Sequence, residues 1–567
     1  MLIFKRLCVI GAIAAFLGVL AAGLQSAAAE PQIRGAAREP HPARLGGLGY
    51  LSVAAPVLSA SAGDLPADLT TPGKPRPEGK PFWEGKKRNL IIMTLDTTRA
   101  DHISAYGVHP DLTPHIDKLA ATGTLFLNGM SQTNQTNPSH MTVMTGLMGI
   151  EHGILDNEQQ IERDVDMLPA AFKRAGYRTA GFPSSSHVSA WLGWKGFDHI
   201  YDVAPDPKTY LSAEEVTDRA LEWLGKNETE PFFIWVHYWD PHAPYAPPKN
   251  LLSKYYQGNP KAPGKEEIRK HPSIQKSKWL TGVTDLEYPM ALYKAEVNYT
   301  DLHIGRLLKY LDEKGLAETT GIVLVGDHGE NLGEHEMYFN HYFTFEPSLR
   351  VPFIMRMPGL KPGVKVSERV TQLDIAPTIA ELYGIEFKNP LRGVSLASAM
   401  KGEKDAALSS RQVFVHEHGN NRQIVIRDGD IKVIYSITPF KTHPPLHVEA
   451  GEIWVYDLSR DPTESKNLAE IRSDLVEKYR PYVQKWFDLK GTGSMSEDED
   501  ARPNLTPAQK KALEGLGYMD DPDEEEDEAP VKGKGKAPAK KGAEDPDDPD
   551  EGEPKPSDAK KKPKKDE

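Results

Sequence analysis

Apolar runs that end in polar residues recur along the middle of the chain, and they predict buried β-strands. Asn89 to Leu95 and Ile322 to Val325 are continuous apolar segments of strand length, the pattern of parallel strands covered on both faces. The first run ends at Asp96, and the second ends one residue before the pair Asp327 and His328. In α/β sheets the chemistry lies just beyond the carboxyl ends of such strands. The pattern therefore places candidate site residues at two strand ends.

The segments between these runs alternate helical and strand periodicity. Helices are predicted over Pro114 to Ala121, Met167 to Ala175, Ser212 to Asn227 and Pro289 to Lys314, and further strands over Thr124 to Phe126, Tyr177 to Phe182 and Phe232 to Trp239. Ser212 is predicted as the N-cap of its helix, and Gly315 as the C′ residue after the longest helix. Such alternation predicts an α/β fold, a doubly wound and mostly parallel sheet flanked by helices.

After about residue 400 the pattern changes to short β runs. These runs are Gln412 to His416, Gln423 to Arg427, Ile431 to Ser436 and Ile453 to Asp457. Two of them flank Asp428-Gly429-Asp430, which is typical of a hairpin turn. Arg472 to Leu489 is predicted as a helix that packs on the resulting sheet. We therefore expect a small C-terminal α+β subdomain over residues 401–490, formed by an antiparallel sheet and a helix.

The N-terminus has the organisation of a secretory signal peptide over residues 1–29. A short basic segment precedes the apolar run Leu7 to Leu24, and Ala27 to Ala29 forms a small-residue cleavage pattern. An uncleaved N-terminal anchor, which would keep the protein near a membrane, is the alternative. Cys8 is the only cysteine, so the cleaved chain would have no thiol and no disulfide. We expect export, to the periplasm or out of the cell.

Composition separates both ends from the globular part. Residues 30–87 are rich in Pro, Ala and Gly and are predicted to be a linker or a wrapping arm. Residues 491–567 are predicted to be a mostly disordered charged tail with a short Leu-Gly-Tyr motif at 513–518. The catalytic domain is then expected over residues 88–400. The net charge of −13 and the pI of about 5.9 argue against nucleic acid as the main partner.

The residues at the two strand ends and one threonine suit chemistry on an anionic ester. Asp327 and His328 offer an oxygen and a nitrogen to a divalent cation, while Gly326 and Gly329 allow close backbone turns. A polar turn after a strand is the alternative interpretation of this pair. Pro138 is acceptable in a first helical turn, so Thr136 should lie at a helix N-terminus. There it would face free backbone N–H groups and the positive end of the helix dipole.

Five blocks in order carry a resemblance to a known family. They are LDTTRADHISAYG (Leu95 to Gly107), TNPSHMTVMTG with EHG (Thr136 to Gly153), VHYWDPHAPYAPP (Val236 to Pro248), GDHGENLGEHEMYFNH through SLRVPFIMRMPG (Gly326 to Gly359) and LDIAPTIAELYGI (Leu373 to Ile385). With these blocks the chain resembles the sulfatase family of the alkaline phosphatase superfamily over roughly residues 88–400. The resemblance implies an alkaline phosphatase-like fold and one divalent metal ion held by Asp96, Asp327, His328 and the oxygen of Thr136.

The resemblance also implies roles at the reacting group. Thr136 is implied as the nucleophile, and His242 and His341 as residues that bind the transferred group or protonate the leaving oxygen. Both histidines could instead be structural. His140 stands where the family has a catalytic arginine, and His187 stands in the Lys-x-His position that grips sulfate, with Asn137 beside the nucleophile as a second substrate-binding residue. Three further histidines, to which we assign structural roles, are His237, His335 and His152.

Departures from the family bear on the substrate. Sulfatases of this family convert a Cys or Ser to formylglycine, whereas this chain has Thr136, and Thr97 replaces the usual second Asp after Asp96. His140 for Arg and Ser185 for Lys remove two cations, which weakens the grip on a compact anion. Threonine nucleophiles occur in phosphoryl-transferring relatives, which favours phosphoryl chemistry. The expected metal is Ca if the enzyme is sulfatase-like, and Mn or Zn if it acts on phosphoryl groups.

Three hypotheses remain. We favour an exported, metal-dependent hydrolase that cleaves a sulfate- or phosphate-type ester through Thr136. An envelope enzyme that transfers a phospho-group to an alcohol is one alternative, and a catalytically inactive binding protein on this scaffold is the other. The substrate in the first case is an anionic ester, either a small molecule or a group linked to a glycan or a lipid.

Overall fold

The computed structural model describes residues 82–83, 87–201, 203, 210–409, 411, 413–416, 423–437, 446 and 448–492. The predicted signal peptide, most of the predicted arm and the predicted charged tail lie outside these residues. Within the described ranges, no helix combines the length and the apolar character that crossing a membrane requires.

The described elements follow one another in this order. The strands are β1 (Asn89–Leu95), β2 (Thr124–Met130), β3 (Arg178–Phe182), β4 (His199–Ile200), β5 (Phe232–Tyr238), β6 (Thr320–Gly326), β7 (Asn331–Leu332), β8 (Tyr338–Asn340), β9 (Phe353–Arg356), β10 (Val364–Thr371), β11 (Val413–His416), β12 (Gln423–Asp428), β13 (Ile431–Ser436) and β14 (Ile453–Asp457). The helices are α1 (Pro114–Thr122), α2 (Thr136–Thr145), α3 (Gly149–His152), α4 (Leu168–Arg174), α5 (Ala213–Asn227), α6 (Lys249–Leu252), α7 (Glu287–Glu313), α8 (Glu346–Leu349), α9 (Ile375–Tyr383), α10 (Ala397–Met400), α11 (Ala406–Ser409) and α12 (Ser473–Thr492). Short 3₁₀ turns are Ala100–His102, Ser104–Tyr106, Ser186–Val188, Ala190–Leu192, Ile268–Lys270, Pro272–Ile274, Lys278–Leu280, Ala317–Thr319, Glu334–Glu336 and Gln372–Asp374.

An eight-stranded sheet, in the order β10-β2-β9-β6-β1-β5-β3-β4, forms the centre of the molecule. β1 pairs in parallel with both β5 and β6. β9 is antiparallel to β6 and to β2, while β10 and β2 are again parallel. The predicted doubly wound, mostly parallel α/β fold is confirmed, with β9 as its antiparallel strand.

The central strands are apolar along their whole length because helices cover both faces of the sheet. Every residue of β1, β5 and β6 is buried. One face packs on a core that includes Met141 of α2 and Phe172 of α4. The opposite face packs on a core that includes Trp223 of α5 and Leu307 of α7. This double burial explains why the strands have no alternation of polar and apolar positions.

Several predicted boundaries agree with the structure, and others are wrong. β1, β13 and β14 have the predicted limits, Ser212 caps α5 together with Glu215, and Gly315 has the left-handed φ of 67°. β2 continues to Met130, beyond the predicted end at Phe126. β9 and β10 were absent from the sequence-based prediction. β9 has only four residues, and β10 is an edge strand with exposed positions, so neither has a strong periodic pattern.

The C-terminal sheet has four antiparallel strands, β11 to β14, as the sequence predicts. Ile426 and Val433 lie in a core with Tyr479 of α12. Ile434 and Trp454 lie in a separate core with residues of the catalytic domain, among them Phe345. The C-terminal sheet therefore packs with one face on its own helix and on Ile150, and with the other face on the part of the catalytic domain around Phe345.

Candidate active site

The ends of β1 and β6 meet at the start of α2. Leu95 and Gly326 are partners in the parallel ladder between these strands, so Asp96 and Asp327 emerge side by side. Thr136 is the first residue of α2, as predicted, and it faces both. Side chains that are distant along the chain are thus brought together by the sheet register.

The distances define a compact cluster. The Thr136 hydroxyl oxygen lies 3.5 Å from Oδ2 of Asp96 and 3.4 Å from Nε2 of His328. His328 Nε2 lies 3.8 Å from Oδ1 of Asp96 and 3.6 Å from Oδ2 of Asp327. All four side chains are buried, with 0% of their surface exposed. Ligand atoms of Asp96, Asp327 and His328 are close enough together to share one metal ion.

The chemistry of these atoms fits a divalent cation. Oδ1 of Asp96 and Oδ2 of Asp327 are buried and have no hydrogen-bond partner in the protein, although buried carboxylate oxygens are almost always satisfied. The Nδ1 atom of His328 lies 3.1 Å from the Gly329 carbonyl, so Nδ1 carries the proton and Nε2 presents its lone pair to the cluster. A backbone carbonyl that fixes the tautomer in this way is the usual support of a metal-binding histidine.

The same carboxylates have strongly shifted pKa values. Burial, followed by the negative charge of Glu330, raises the pKa of Asp96. Burial, followed by the charge of Asp96, raises the pKa of Asp327. Burial also lowers the pKa of His328 well below its ordinary value. The protein alone therefore disfavours negative charge at the carboxylates, and a bound cation would remove this penalty.

The glycines that flank the Asp-His pair allow close backbone approach, as the sequence indicates. A Cβ atom on Gly329 would lie 1.9 Å from the Pro347 carbonyl oxygen, and one on Gly326 would lie 2.8 Å from Cβ of Val351. Neither space could hold a side chain without a shift of its neighbours. These positions hold the turn with Asp327 and His328 against the segment that follows it.

The helix N-terminus at Thr136 differs from the prediction in one respect. The Asn137 N–H donates to Oδ1 of Asn157 over 2.8 Å, and the Ser139 N–H donates to the Gln135 carbonyl. Pro138 has no N–H to offer. Of the N–H groups expected to be free in this turn, that of Asn137 is therefore already engaged by a side chain. The positive end of the helix dipole still lies at Thr136.

His140 is fully engaged by protein groups. The indole N–H of Trp235 donates to Thr94 Oγ1 over 2.9 Å, so the Thr94 hydroxyl donates to Nε2 of His140 over 2.8 Å. Nδ1 of His140 then donates to the Thr136 carbonyl over 2.7 Å. Burial lowers the pKa of His140 well below its ordinary value, so the ring is neutral. His140 holds the backbone of Thr136, and its predicted catalytic role stays a prediction.

His242 and His341 form the partly open side of the site. The His341 ring centroid lies 4.3 Å from that of His328 and 5.5 Å from that of His242. His341 has 12% of its side chain exposed, so it is more accessible than the fully buried cluster beneath it. His242 stacks on Trp239 and donates from Nδ1 to the Ala243 carbonyl. The structure brings both rings to the same side of the cluster, and their predicted roles at the reacting group stay predictions.

The two predicted substrate-binding residues are buried. Asn137 accepts from the Trp194 indole and donates to the Gln159 carbonyl, so its amide supports the loop around the nucleophile. His187 is edge-on to Trp239 with ring centroids 5.8 Å apart. Burial lowers the pKa of His187 to about 3. A neutral His187 cannot supply the charge that the Lys-x-His position implies, and both substrate roles stay predictions.

Two of the histidines to which structural roles were assigned lie outside the cluster. His152 Nδ1 accepts from the Ile154 N–H, and its Nε2 lies 3.2 Å from Thr142 Oγ1. The His335 ring stacks on Phe345 at 3.8 Å. These contacts fit the structural assignment of both residues.

His237 and Glu330 are site residues that the sequence interpretation missed. The Ser184 N–H points at Nδ1 of His237, so its Nε2–H donates to Oδ2 of Asp96 over 3.2 Å. His237 lies at the end of β5, beside Thr94 in the ladder, and this strand-end position was the available signal. Glu330 is buried two residues after His328, with Oε1 3.7 Å from Nδ1 of His341.

Thr97 occupies a strained position next to Asp96. Its φ is 44°, in the left-handed region that β-branched residues avoid. Its N–H donates to Oδ1 of Asp327 over 3.2 Å, and its buried hydroxyl has no hydrogen-bond partner. The backbone is thus shaped to orient Asp327, while the side chain itself contributes no polar contact.

Two family models and several curated proteins match this chain. A family model described as Sulfatase matches residues 88–385, and one described as N-sulphoglucosamine sulphohydrolase, C-terminal, matches residues 333–480. An N-acetylglucosamine-6-O-sulfatase of Bacteroides thetaiotaomicron is 26% identical over 481 residues, covering 68% of this chain and 83% of the relative. The multifunctional alkaline phosphatase superfamily protein PehA of Trinickia caryophylli is 24% identical over 497 residues, covering 70% and 95%.

Solved structures share the fold. The phosphonate monoester hydrolase of Agrobacterium radiobacter superposes with a TM-score of 0.58 at 21% identity, covering 72% of this chain and 96% of that structure. A protein solved with its substrate D-glucosamine-2-N,6-O-disulfate superposes with a TM-score of 0.56 at 23% identity, covering 73% and 100%. At these identities the likeness establishes the fold alone.

Proposed function

The chain belongs to the sulfatase family of the alkaline phosphatase superfamily, and from this premise we propose that it is an exported, metal-dependent hydrolase with Thr136 as its nucleophile. The observation that carries the proposal is the convergence of Thr136 with Asp96, Asp327 and His328 in one buried cluster. Three elements distant along the chain supply these groups, and one carboxylate oxygen of each aspartate lacks a partner.

Asp96, Asp327 and His328 are the residues that would hold the metal ion, with the Thr136 oxygen beside them. When bound, a divalent ion would lower the pKa of the hydroxyl and offset charge on the ester. His237 donates to Oδ2 of Asp96 and so leaves Oδ1 directed at the cluster. The Thr136 hydroxyl also points to Oδ2 of Asp96, which places an acceptor for its proton at 3.5 Å.

The reaction would proceed in two displacements. The Thr136 oxygen attacks the phosphorus or sulfur atom, the bond to the leaving oxygen breaks, and a covalent ester of Thr136 forms. His341 supplies a proton to the leaving oxygen, and His242, whose Nδ1 proton is donated to the Ala243 carbonyl, lies beside it. Water then attacks the covalent ester and loses a proton to His341, and the released Thr136 oxygen takes its proton back from Asp96. The dipole of α2 stabilises negative charge that develops at Thr136.

The substrate proposed is an anionic ester, on a small molecule, a glycan or a lipid. A threonine nucleophile favours a phosphate-type ester over a sulfate ester, and Mn or Zn would then be the metal. The second candidate is a sulfate ester with Ca, which the names of the glycan sulfatase relatives favour. The alternatives of an envelope transferase and of an inactive binding protein predict, respectively, transfer to added alcohol and no bound metal.

The test is a panel of aryl sulfate, phosphate monoester, phosphodiester and phosphonate monoester substrates, assayed with metal-reconstituted wild type and Thr136→Ala. We expect the phosphonate or phosphodiester to be cleaved fastest and Thr136→Ala to lose at least about 10³-fold in kcat, in line with removal of a nucleophile. Thr136→Ser keeps a hydroxyl and serves as the matched control.

The outcomes separate the parts of the proposal. If aryl sulfate is cleaved fastest by a wide margin, the preference for phosphorus is wrong. Full activity in Thr136→Ala would remove Thr136 as the nucleophile. Metal analysis of purified wild type that finds no divalent ion, together with no activity on any substrate, would favour the binding protein.

A further inference from the structure

The segment Phe343 to Ser348, called here the bridging segment, lies between the C-terminal sheet and the turn that carries His328. It begins two residues after His341 and contains the start of α8. Phe343, Phe345 and Trp454 of β14 belong to the same buried core. The segment therefore connects the C-terminal subdomain, to which no role is assigned, with His341 and with the turn that carries His328.

On one side, consecutive residues of the bridging segment are held by the C-terminal sheet. The Thr344 N–H and hydroxyl both donate to Oε1 of Gln423, over 3.2 Å and 2.8 Å. Both residues are buried. The Phe345 ring is parallel to that of Trp454, with centroids 5.6 Å apart and an interplanar angle of 3°. These contacts fix the rotation of the segment as well as its distance from the sheet.

Buried charges fix the next residue. Lys432, with 0% of its side chain exposed, lies 3.2 Å from Glu346 and 2.5 Å from Glu464. Glu346 also pairs with Arg427, and its N–H donates to Oε2 of Glu464 over 2.6 Å. Burial alone would raise the pKa of Glu346, but Arg427 and Lys432 outweigh it and lower the pKa to about 2. Glu464 adopts a left-handed φ of 55° to make these contacts.

On the other side, the bridging segment supports the turn after β6. The Gly329 N–H donates to the Ser348 carbonyl over 2.8 Å, and the Glu330 N–H donates to the Pro347 carbonyl over 3.1 Å. The Pro347 carbonyl oxygen also fills the space that a side chain at position 329 would need. The C-terminal end of the segment is thus bonded to the backbone that follows His328, while its N-terminal end leads back to His341.

We propose that the C-terminal sheet is a positioning element of the active site, and that Gln423, Lys432 and Trp454 set the location of His341 by holding the bridging segment. The proposal rests on the proposed role of His341 in catalysis. An apolar contact between the subdomains could provide stability equally well. The buried ion pairs of Glu346 with Arg427 and Lys432 instead favour a single arrangement, since a shift of the segment would leave buried charges without partners.

The experiment uses the full mature chain with substitutions of Thr344. Apart from the contacts of charged residues, the hydrogen bond from the Thr344 hydroxyl to Gln423 is the shortest between the bridging segment and the sheet. Thr344→Val removes this donor at nearly constant volume, and Thr344→Ser retains it. We expect Thr344→Val to lower kcat about 10- to 100-fold with little change in KM, since displacing a catalytic group by about 1 Å has effects of this size. Thr344→Ser should recover most of the loss.

Two controls make the inference falsifiable. Ile426 lies on the opposite face of the same sheet, toward α12. Ile426→Val should therefore lower the melting temperature without changing kcat. In a His341→Ala background, Thr344→Val should have little further effect on kcat, because the group it positions is absent.

The outcomes distinguish this inference from the proposed function. Unchanged activity in His341→Ala would reject the role of His341 itself. A loss in His341→Ala combined with wild-type kcat in Thr344→Val would overturn the positioning inference alone. The inference would also be wrong if Ile426→Val lowered kcat as much as Thr344→Val, or if the losses from Thr344→Val and His341→Ala were additive.

Discussion

Asp96 and Asp327 face the same buried space, and each has one oxygen without a hydrogen-bond partner in the protein. Oδ1 of Asp327 accepts from the backbone N–H groups of Thr97 and His328, so only Oδ2 is left for another ligand. The arrangement destabilises the metal-free protein, because buried like charges repel each other. Such an arrangement is retained where a cation can offset the repulsion.

Asp327→Asn should therefore change stability in opposite directions with and without metal. Asn keeps the oxygen that accepts from Thr97 and His328 and replaces the repelling oxygen with a neutral amide. We expect the metal-free variant to be more stable than metal-free wild type by about 1 to 3 kcal/mol, the scale of an unsatisfied buried group. Denaturant unfolding in chelator and in excess metal measures both effects.

In excess metal the order should reverse, since only wild type gains binding energy. At a concentration of about 1,000 Kd this gain is about 4.1 kcal/mol, which exceeds the advantage expected for the metal-free variant. A variant that stays as metal-responsive as wild type would show that Asp327 is not a ligand.

Thr97→Asp should strengthen metal binding. The left-handed φ of 44° at this position is tolerated better by Asp than by a β-branched residue, and the buried hydroxyl that would be lost has no partner. An added carboxylate raises the ligand charge, and we expect about tenfold tighter binding of a divalent ion. Thr97→Asn fits the same backbone without the charge and is the matched control. Equal affinities in both variants, measured by titration calorimetry, would contradict the prediction.

Among individual residues, those of the cluster could be predicted from the sequence, but those that support the cluster could not. Asp96, Asp327, His328 and Thr136 were predictable because each stands at the end or start of a regular element. His237 was assigned a structural role, since one histidine at a strand end does not reveal which neighbour it contacts. The structure shows that it donates to Asp96. Register between β1 and β5 decides this contact, and register is not readable from one strand alone.

Among the elements, those with long apolar runs or helical periodicity were predictable, and those at the sheet edge were not. β1, β6 and the long helix α7 bury one or both faces, so the sequence carries their pattern. β10 has exposed residues at alternate positions in its first half and pairs only with β2. Its pattern is that of a polar edge, which a solvent-exposed loop can also show. The antiparallel insertion of β9 depends on tertiary packing.

The loop that carries His242 is attached to α5 and α7 by two buried carboxyl groups. Asp240 accepts from the Ala213 N–H at the start of α5, and Glu296 of α7 accepts from the Ala246 N–H. Burial raises the pKa of Asp240 to about 6. Burial, followed by the charge of Asp240, raises the pKa of Glu296 well above its ordinary value. The loop is therefore held by carboxyl groups that keep their protons to a higher pH in the folded state than in the unfolded chain.

This pair gives the protein a pH-dependent stability with a defined sign. Above the ordinary Asp pKa of 3.8 the unfolded chain has released a proton that folded Asp240 still holds up to about pH 6. Stability is therefore highest below this window and falls as the pH rises through it. Glu296→Gln removes one of the two charges, so the decrease in the free energy of unfolding between pH 4 and pH 8 should be smaller by about 2 kcal/mol. Urea unfolding across this pH range measures the decrease.

Glu313→Gln is the matched control, because it makes the same chemical change on the same helix at an exposed residue paired with Lys309. It should leave the pH dependence unchanged. Parallel stability curves for Glu296→Gln and wild type would show that the pair holds no shared proton.

At the scale of the whole molecule, two sheets cooperate in one site. The eight-stranded sheet supplies the cluster proposed to bind metal, and the four-stranded sheet holds the segment next to His341. The sequence predicted both sheets, but it gave no sign of their connection through Glu346, Lys432 and Glu464. Charged residues in strands and loops are usually solvated, so only the structure reveals that these are buried and paired.

The arm that precedes the catalytic domain contacts it at Trp83. The indole N–H donates to the Pro358 carbonyl over 2.8 Å, and the ring lies 4.8 Å from that of Tyr383. This contact supports a wrapping arm over a free linker at that position.

Export is testable through the single cysteine. Cys8 lies within the predicted signal peptide, so cleavage after Ala29 would leave a mature chain without any thiol. We expect protein purified from the exported fraction of its native host to react with no thiol reagent under denaturing conditions, and its mass to match a chain that begins at Glu30. The uncleaved precursor, made without export, is the control and should show one thiol per chain. One thiol in the exported protein, together with its recovery in the membrane fraction, would instead establish an N-terminal anchor, because the apolar run Leu7 to Leu24 would then still be present.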